Sequence, residues 1–144
     1  MMIWFDMDGT IADLYGVDGW LDYIHNEDVT PYAVAKGLIN MNSLARVLNR
    51  LQRNGHQIGV ISWTARNGSE AYNEAVAVAK RAWLKRHLNS VQFDAIEIKP
   101  YGYNKSNVAS AQDVLFDDEK QNRDQWIGIA YDVNNIIEIL KQIS

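Results

Sequence analysis

Short apolar runs recur along the chain, each bounded by glycine, polar or turn-forming residues. Such runs are typical of strands inside a sheet that is covered on both faces, because nearly every side chain of such a strand is buried. The pattern predicts strands at residues 2–5, 57–63, 91–98, 114–116 and 127–131.

The longer stretches between these runs carry apolar residues three and four positions apart, which is the spacing of one helical face. They predict helices over residues 42–54, 69–88 and 133–143, the last capped by Asp132, while residues 119–125 suit a short polar helix. Strands that alternate with helices indicate an α/β fold. We therefore expect a Rossmann-like three-layer sandwich with a mostly parallel sheet of about five strands and helices on both faces.

The long helix predicted over residues 69–88 has an apolar face and a basic side. We expect the apolar face to pack on the sheet and the basic side chains to lie mostly outside it. The apolar face consists of Tyr72, Val76, Ala79 and Trp83, and the basic side chains are Lys80, Arg81, Lys85 and Arg86.

Residues 14–41 are the least regular part of the chain, because glycines and a proline interrupt short apolar groups. Short helices are expected at about residues 17–26 and after Thr30-Pro31, where proline suits a first helical turn. We interpret this stretch as a small helical cap or lid inserted into a single domain that spans residues 1–144.

Composition narrows the function classes. The chain has no cysteine, and its three histidines, His25, His56 and His87, show no ligand spacing, which argues against disulfides and a zinc site. The 14 Lys and Arg against 18 Asp and Glu give a net charge of −4 without a basic run, so stable binding of duplex nucleic acid is not expected. The apolar N-terminus is too short for a signal peptide or a membrane span, so we expect a cytoplasmic protein.

Two carboxylates one residue apart, Asp6 and Asp8, follow the first apolar run. In an open α/β sheet, this place lies at the carboxyl edge of the strands, where ligands bind. Carboxylates this close repel each other, and a hard cation such as Mg²⁺, which binds oxygen, relieves the repulsion. A second acidic pair, Asp117-Asp118, follows the run at residues 114–116 in the same way.

The segment Asp6-Met7-Asp8-Gly9-Thr10 after an apolar strand resembles the signature of the haloacid dehalogenase-like superfamily. That resemblance implies a Mg²⁺-dependent phosphatase that works through an aspartyl-phosphate intermediate. Asp6 would attack phosphorus, and Asp8 would protonate the leaving group and then activate water.

The resemblance also implies a hydroxyl after the second strand, a lysine before the fourth and an acidic pair after it. Ser62 matches the hydroxyl if the strand ends before Trp63, and Thr64 competes if Trp63 extends the strand. Lys105 matches the lysine, with Lys99 as the alternative. The implied metal ligands are Asp6, the main-chain carbonyl of Asp8 and Asp117, supported by Asp118.

The substrate is expected to be a small phosphorylated molecule. The stretch from Lys105 to Asp118 resembles 5′(3′)-deoxyribonucleotidase-like phosphatases, which implies a nucleoside monophosphate. Arg66 would hold a distal phosphate or would be a surface residue. Aromatic and histidine side chains of the insert would stack on a base or would fill the core of the lid; these are Trp20, Tyr23, His25 and Tyr32.

Three other functions use some of the same residues. A polynucleotide 3′-phosphatase would need a basic groove for the strand, which this acidic chain lacks. A receiver-like signalling module would need an acceptor aspartate after the third strand, and Ile96-Glu97-Ile98-Lys99 has none. A non-catalytic metal- or phosphate-binding relative would not need the complete set of Asp6, Asp8, hydroxyl and lysine.

Overall fold

Five parallel strands form one sheet in the computed structural model, which describes residues 1–144. The strands are β1 Met2–Phe5, β2 Gln57–Trp63, β3 Ala95–Lys99, β4 Val114–Phe116 and β5 Ile129–Tyr131. They lie in the order β3-β2-β1-β4-β5, and every pairing is parallel. The predicted α/β class is confirmed. Since β1 is central, the residues that follow it emerge between the ends of β2 and β4.

Six α-helices and two single turns of 3-10 helix connect the strands. The α-helices are α1 Trp20–His25, α2 Thr30–Val34, α3 Met41–Arg53, α4 Glu70–His87, α5 Lys120–Gln125 and α6 Ile136–Gln142; the 3-10 turns are Leu14–Gly16 and Lys105–Val108. Asn40 and Ser69 cap α3 and α4 by accepting a bond from the amide three residues on. None of the helices combines the length and apolar character that a membrane crossing would need.

The two faces of the sheet carry different layers. Ile3 and Phe5 of β1 point into the main core with apolar side chains of α3, α4 and α6. Trp4 points to the other face, where it packs with Leu115, Trp126 and the 3-10 turn around Val108. A glycine is required opposite Trp4, because a Cβ on Gly59 would lie 2.7 Å from the indole ring. The predicted three layers are present, and the second face is covered by shorter elements.

Three predicted boundaries are wrong, the first of them at the last strand, which begins at Ile129 rather than residue 127. The third strand begins at Ala95 rather than residue 91, because the Asp94 carboxylate accepts a bond from the Ile58 amide at 2.8 Å and ends the regular pairing. The last helix begins at Ile136, so that Asn135 rather than Asp132 occupies its N-cap position, and the Asn135 side chain makes no capping bond. The Asp132 carboxylate instead accepts a bond from the next amide, that of Val133, at 2.7 Å.

The prediction that Lys80 lies on the outer side of its helix is also wrong. The side chain is 1% exposed, whereas Arg81, Lys85 and Arg86 are exposed as expected. Lys80 stands four residues after Val76 and four before Leu84, so helical geometry places it in the buried stripe. A lysine inside an apolar stripe needs buried acceptors, and it finds them at the carboxyl edge of the sheet.

Residues 14–41 hold the first 3-10 turn, α1 and α2, and the two ends of this insert are attached differently. Helix α2 packs on α4: the Tyr72 hydroxyl donates to the Asp28 carbonyl at 2.9 Å, and the Trp83 indole donates to the Ala35 carbonyl at 2.7 Å. Helix α1 has no buried residue. Whether the insert acts as a lid stays a prediction.

Candidate active site

The turn after β1 places the first acidic pair at the carboxyl edge of the sheet. The Asp6 amide donates to the Phe116 carbonyl at 2.9 Å, so Asp6 still continues the pairing with β4. The chain then turns at Gly9, whose φ of +80° favours glycine and whose missing Cβ leaves room for the Asp118 carboxylate. Asp6 is 6% exposed and Asp8 lies beside it on the turn.

Lys105 is held between two carboxylates. Its ammonium lies 2.9 Å from Asp6 Oδ1 and 2.7 Å from Asp117 Oδ2, and all three side chains are buried. Burial lowers the pKa of Lys105, but the two carboxylates outweigh burial and the net shift is upward, so the ammonium stays charged. Lys99, the alternative, pairs with Glu97 at 3.3 Å and is about one-third exposed. The structure thus brings Lys105, not Lys99, to Asp6.

Three carboxylates form an acidic cluster at this edge. Oxygens of Asp6, Asp117 and Asp118 all lie within 4.8 Å of one another. Burial and the Asp6 carboxylate raise the pKa of Asp117 to about 6 and that of Asp118 to about 8. The Thr10 hydroxyl lies between two members, 3.0 Å from Asp6 Oδ2 and 3.3 Å from Asp118 Oδ1. Crowded carboxylates whose ionised form is disfavoured are what a hard cation stabilises.

An amide oxygen beside this cluster has no partner. Asn122 of α5 donates through Nδ2 to Asp117 Oδ2 at 3.1 Å, while its Oδ1 is buried without a hydrogen bond. Asn122 also lines the cleft described below. A buried carbonyl oxygen without a donor, next to three carboxylates, is suited to Mg²⁺ or to one of its bound waters. The residues present therefore fit the predicted metal, although the Asp8 carboxylate lies outside the cluster.

Asp8 is instead paired with Lys80, a residue that the sequence reasoning missed. The Lys80 ammonium lies 2.7 Å from Asp8 Oδ2, 2.7 Å from Ser62 Oγ and 2.7 Å from the Trp63 carbonyl oxygen. Burial raises the pKa of Asp8, and the neighbouring Lys80 opposes that shift only in part. The available signal was the position of Lys80 between Val76 and Leu84.

Both candidate hydroxyls lie at the end of β2. Strand β2 includes Trp63, the condition that would favour Thr64, and both Ser62 and Thr64 line the cleft. They differ in burial and contacts: Ser62 is 1% exposed and accepts the bond from Lys80, whereas Thr64 is half-buried and makes no side-chain hydrogen bond. The choice between them stays a prediction.

A cleft of about 510 Å³ opens above these groups. Of the residues predicted to bind substrate, Trp20, Thr64 and Arg66 line it, as do His25 and Tyr32. Tyr23 lies outside the cleft, because α1 turns Trp20 and Ile24 towards it and Tyr23 is on the other side of the helix.

Aromatic pairs line two sides of the cleft. From the insert, Tyr15 and Trp20 meet edge to face with ring centroids 4.9 Å apart. From the end of β2 and the loop after β3, Trp63 and Tyr101 lie 4.9 Å apart, and the Arg66 guanidinium lies 5.7 Å from the centre of the Tyr101 ring. Tyr15, Trp63 and Tyr101 were not among the predicted substrate residues, because none stands in a recognisable motif.

Comparison with known proteins bears on the fold. No family model and no curated protein sequence matches this chain. Among solved structures, it is similar to the D,D-heptose 1,7-bisphosphate phosphatase from Burkholderia thailandensis, with a TM-score of 0.51 and 13% identity over 85% of this chain and 69% of that chain. The similar structure is that of a phosphatase. At the level of the fold, this likeness confirms the resemblance predicted from the sequence.

Proposed function

We propose that this chain, which has the fold of the haloacid dehalogenase-like phosphatases, is a Mg²⁺-dependent phosphomonoester hydrolase. One observation carries the proposal: Asp6, Asp8, Ser62 and Lys105, spread over a hundred positions of sequence, meet in one cleft at the carboxyl edge of the sheet. Lys105 contacts Asp6, and Lys80 contacts both Asp8 and Ser62.

The first half-reaction is assigned to Asp6. A carboxylate oxygen of Asp6 bonds to phosphorus as the bond from phosphorus to the ester oxygen breaks. Lys105 lies 2.9 Å from Asp6 and places positive charge beside the nucleophile and the phosphoryl group. Burial raises the pKa of Asp8, which makes the protonated acid easier to form than for an ordinary aspartate; that acid gives its proton to the departing alkoxide.

The second half-reaction regenerates the enzyme. Asp8, now a carboxylate, takes a proton from a water molecule as that water attacks the phosphorus of the aspartyl phosphate. The bond between Asp6 and phosphorus breaks, which restores the Asp6 carboxylate and releases inorganic phosphate. The same carboxyl group thus acts first as acid and then as base.

Mg²⁺ would be held by Asp6, Asp117 and Asp118, with Asn122 Oδ1 and the main-chain carbonyl of Asp8 as further oxygen donors. When bound, the ion supplies positive charge against the phosphoryl oxygens and the acidic cluster. The support is the unpartnered Asn122 oxygen and the raised pKa of Asp117 and Asp118.

We assign the substrate to small phosphorylated molecules, and among them to nucleoside monophosphates. The support is that the pairs Tyr15–Trp20 and Trp63–Tyr101 line the same cleft as Asp6, so that a planar base has aromatic faces within reach. A panel of nucleoside monophosphates, sugar phosphates and 3′-phosphorylated oligonucleotides tests this class. The highest kcat/KM on oligonucleotides, falling steeply with salt, would instead favour a polynucleotide 3′-phosphatase.

Asp6→Asn tests the reaction itself. We expect it to lower hydrolysis of p-nitrophenyl phosphate in Mg²⁺ by more than about 10³-fold, because loss of a covalent nucleophile removes the whole pathway. Asp18→Asn, an exposed change in the same segment of the chain, should retain native activity. Turnover by Asp6→Asn at the native rate, with the fold intact by circular dichroism, would rule out the nucleophile assignment.

A further inference from the structure

Lys80 is the only buried charged residue of the cleft region for which the proposed reaction has no role. It enters from the middle of α4, on the sheet face opposite the turn that carries Lys105. A lysine that is 1% exposed is costly unless its charge and all its donors are satisfied. What it contacts therefore indicates why it is there.

The contacts of Lys80 account for all three of its donors. An ammonium has three N–H groups and no acceptor, and here they have three acceptors: Asp8 Oδ2, Ser62 Oγ and the Trp63 carbonyl. The Tyr32 ring covers the ammonium from the side of the insert, with its centre 5.2 Å from Nζ. The ammonium is consequently held in one place and cannot follow a moving carboxylate.

This arrangement distinguishes the two oxygens of Asp8. Oδ2 accepts a charge-assisted bond from a group that can only donate, whereas Oδ1 has no partner within the protein and Asp8 lines the cleft. Because the Lys80 ammonium occupies Oδ2, Oδ1 is the oxygen of Asp8 that is free to meet a leaving group in the cleft.

We propose that Lys80 is a positioning residue: it fixes the Asp8 carboxyl group so that Oδ1, the oxygen without a partner in the protein, faces the ester oxygen of the substrate. The inference rests on the proposed function, since it assigns Lys80 to that reaction. It predicts a defect that depends on the leaving group, because only a strongly basic alkoxide needs a proton in order to leave.

The test compares two esters in Lys80→Met. Proton donation by a positioned acid contributes roughly 10²–10⁴-fold, so we expect kcat on glycerol phosphate, an alkyl ester, to fall by about 10–100-fold. On p-nitrophenyl phosphate, whose leaving group departs without a proton, we expect a fall of less than about threefold. Lys85→Met, an exposed lysine on the same helix, should match the native protein on both esters.

A second pair of proteins distinguishes the charge of the Lys80 side chain from its volume. Because the chain has no cysteine, Lys80→Cys introduces a unique thiol. Alkylation in denaturant with 2-bromoethylamine, followed by refolding, rebuilds a side chain of native length with its ammonium; 1-iodopropane rebuilds the same length without charge. The thiolate displaces halide in both cases. We expect the ammonium adduct alone to recover activity on the alkyl ester, relative to native protein unfolded and refolded in the same way.

The outcomes separate this inference from the proposed function. Equal losses on the two esters, or equal activity of the two adducts, would assign Lys80 to packing and overturn the inference, while loss in Asp6→Asn would still support the phosphatase. No hydrolysis of any ester by the native protein would overturn the proposed function itself. If Lys80→Met does not fold, Lys80→Gln, which keeps a hydrogen-bond donor without the charge, is compared on the same two esters.

Discussion

Two buried lysines approach the turn after β1 from opposite faces of the sheet, and they differ in what they contact. Lys105 lies between two carboxylates, Asp6 and Asp117, so it mainly offsets negative charge. Lys80 contacts one carboxylate, one hydroxyl and one main-chain carbonyl, so it mainly fixes geometry. Asp6 and Asp8 can therefore have separate roles, because Asp6 pairs with Lys105 and Asp8 pairs with Lys80.

Of the changes that separate the two lysines, the largest effect is expected from removing the cation beside Asp6. Lys105→Met should lower kcat/KM on p-nitrophenyl phosphate by roughly 10²–10³-fold, the loss found when one preorganised electrostatic donor is removed. Unlike Lys80→Met, it should affect aryl and alkyl esters equally, because Lys105 contacts the nucleophile Asp6 and not the group that protonates the leaving oxygen. Lys99→Met is the matched control and should remain within about twofold, because its lysine is a partly exposed partner of Glu97. The opposite ranking of the two variants would assign the role to Lys99.

A smaller effect is expected from the hydroxyl that Lys80 contacts. Since Ser62 Oγ accepts a bond from Lys80, its single proton is left to donate to phosphate. Ser62→Ala should therefore lower kcat/KM by about 10–100-fold, the range for a hydrogen bond to a charged group. Thr64→Val, which removes the competing hydroxyl, should cost less than about threefold. A larger loss in Thr64→Val would transfer phosphate binding to Thr64.

The smallest effect is expected on thermal stability. It concerns the acidic cluster of Asp6, Asp117 and Asp118 rather than Lys80 and its contacts. A carboxyl group whose pKa is raised on folding holds more protons in the folded state, so its contribution to stability is lost as pH rises through the folded pKa. For Asp117 and Asp118, with pKa about 6 and about 8, the Tm of metal-free protein should fall between pH 5 and pH 8. Mg²⁺ should raise the Tm, and by more at pH 8 than at pH 5.

Thermal unfolding in EDTA and in Mg²⁺ at both pH values measures this difference. Asp118→Asn should weaken both the pH dependence and the response to Mg²⁺, whereas Asp124→Asn, an exposed change on α5, should alter neither. A Mg²⁺ response that is the same in native protein and Asp118→Asn would remove Asp118 from the metal site.

The sequence predicted those parts of the molecule that depend on neighbouring residues in the chain. Apolar runs ending in Asp6 and Asp117 were enough to place the strands and the acidic cluster, because parallel strands deliver their ends to one edge. Lys80 was misassigned because its role depends on which side of α4 meets the sheet. The predicted apolar face of α4 ran through Ala79, whereas the buried face runs through Lys80, one position further along. This difference of one position changed the predicted place of Lys80 from buried to exposed.

The insert shows the same limit at its aromatic residues. Trp20 and Tyr23 are equally aromatic in the sequence, and only the rotation of α1 decides that Trp20 lines the cleft while Tyr23 does not. Tyr15 could not be predicted at all, since its position follows from a 3-10 turn that carries no apolar periodicity. Side chains whose place depends on tertiary packing leave little trace in local pattern.

The unequal attachment of the insert has a consequence for protein engineering. Residues just after α1 are held to the start of α4, where the Ser69 amide and hydroxyl donate to the Glu27 carboxylate at 2.8 and 2.7 Å. Because α4 also carries Lys80, we expect changes near α2 to affect the reacting groups along with the pocket. Helix α1 buries no side chain of its own and still contributes Trp20, Leu21 and Ile24 to the cleft. We therefore expect libraries confined to α1 to change the lining of the cleft more than the reacting groups.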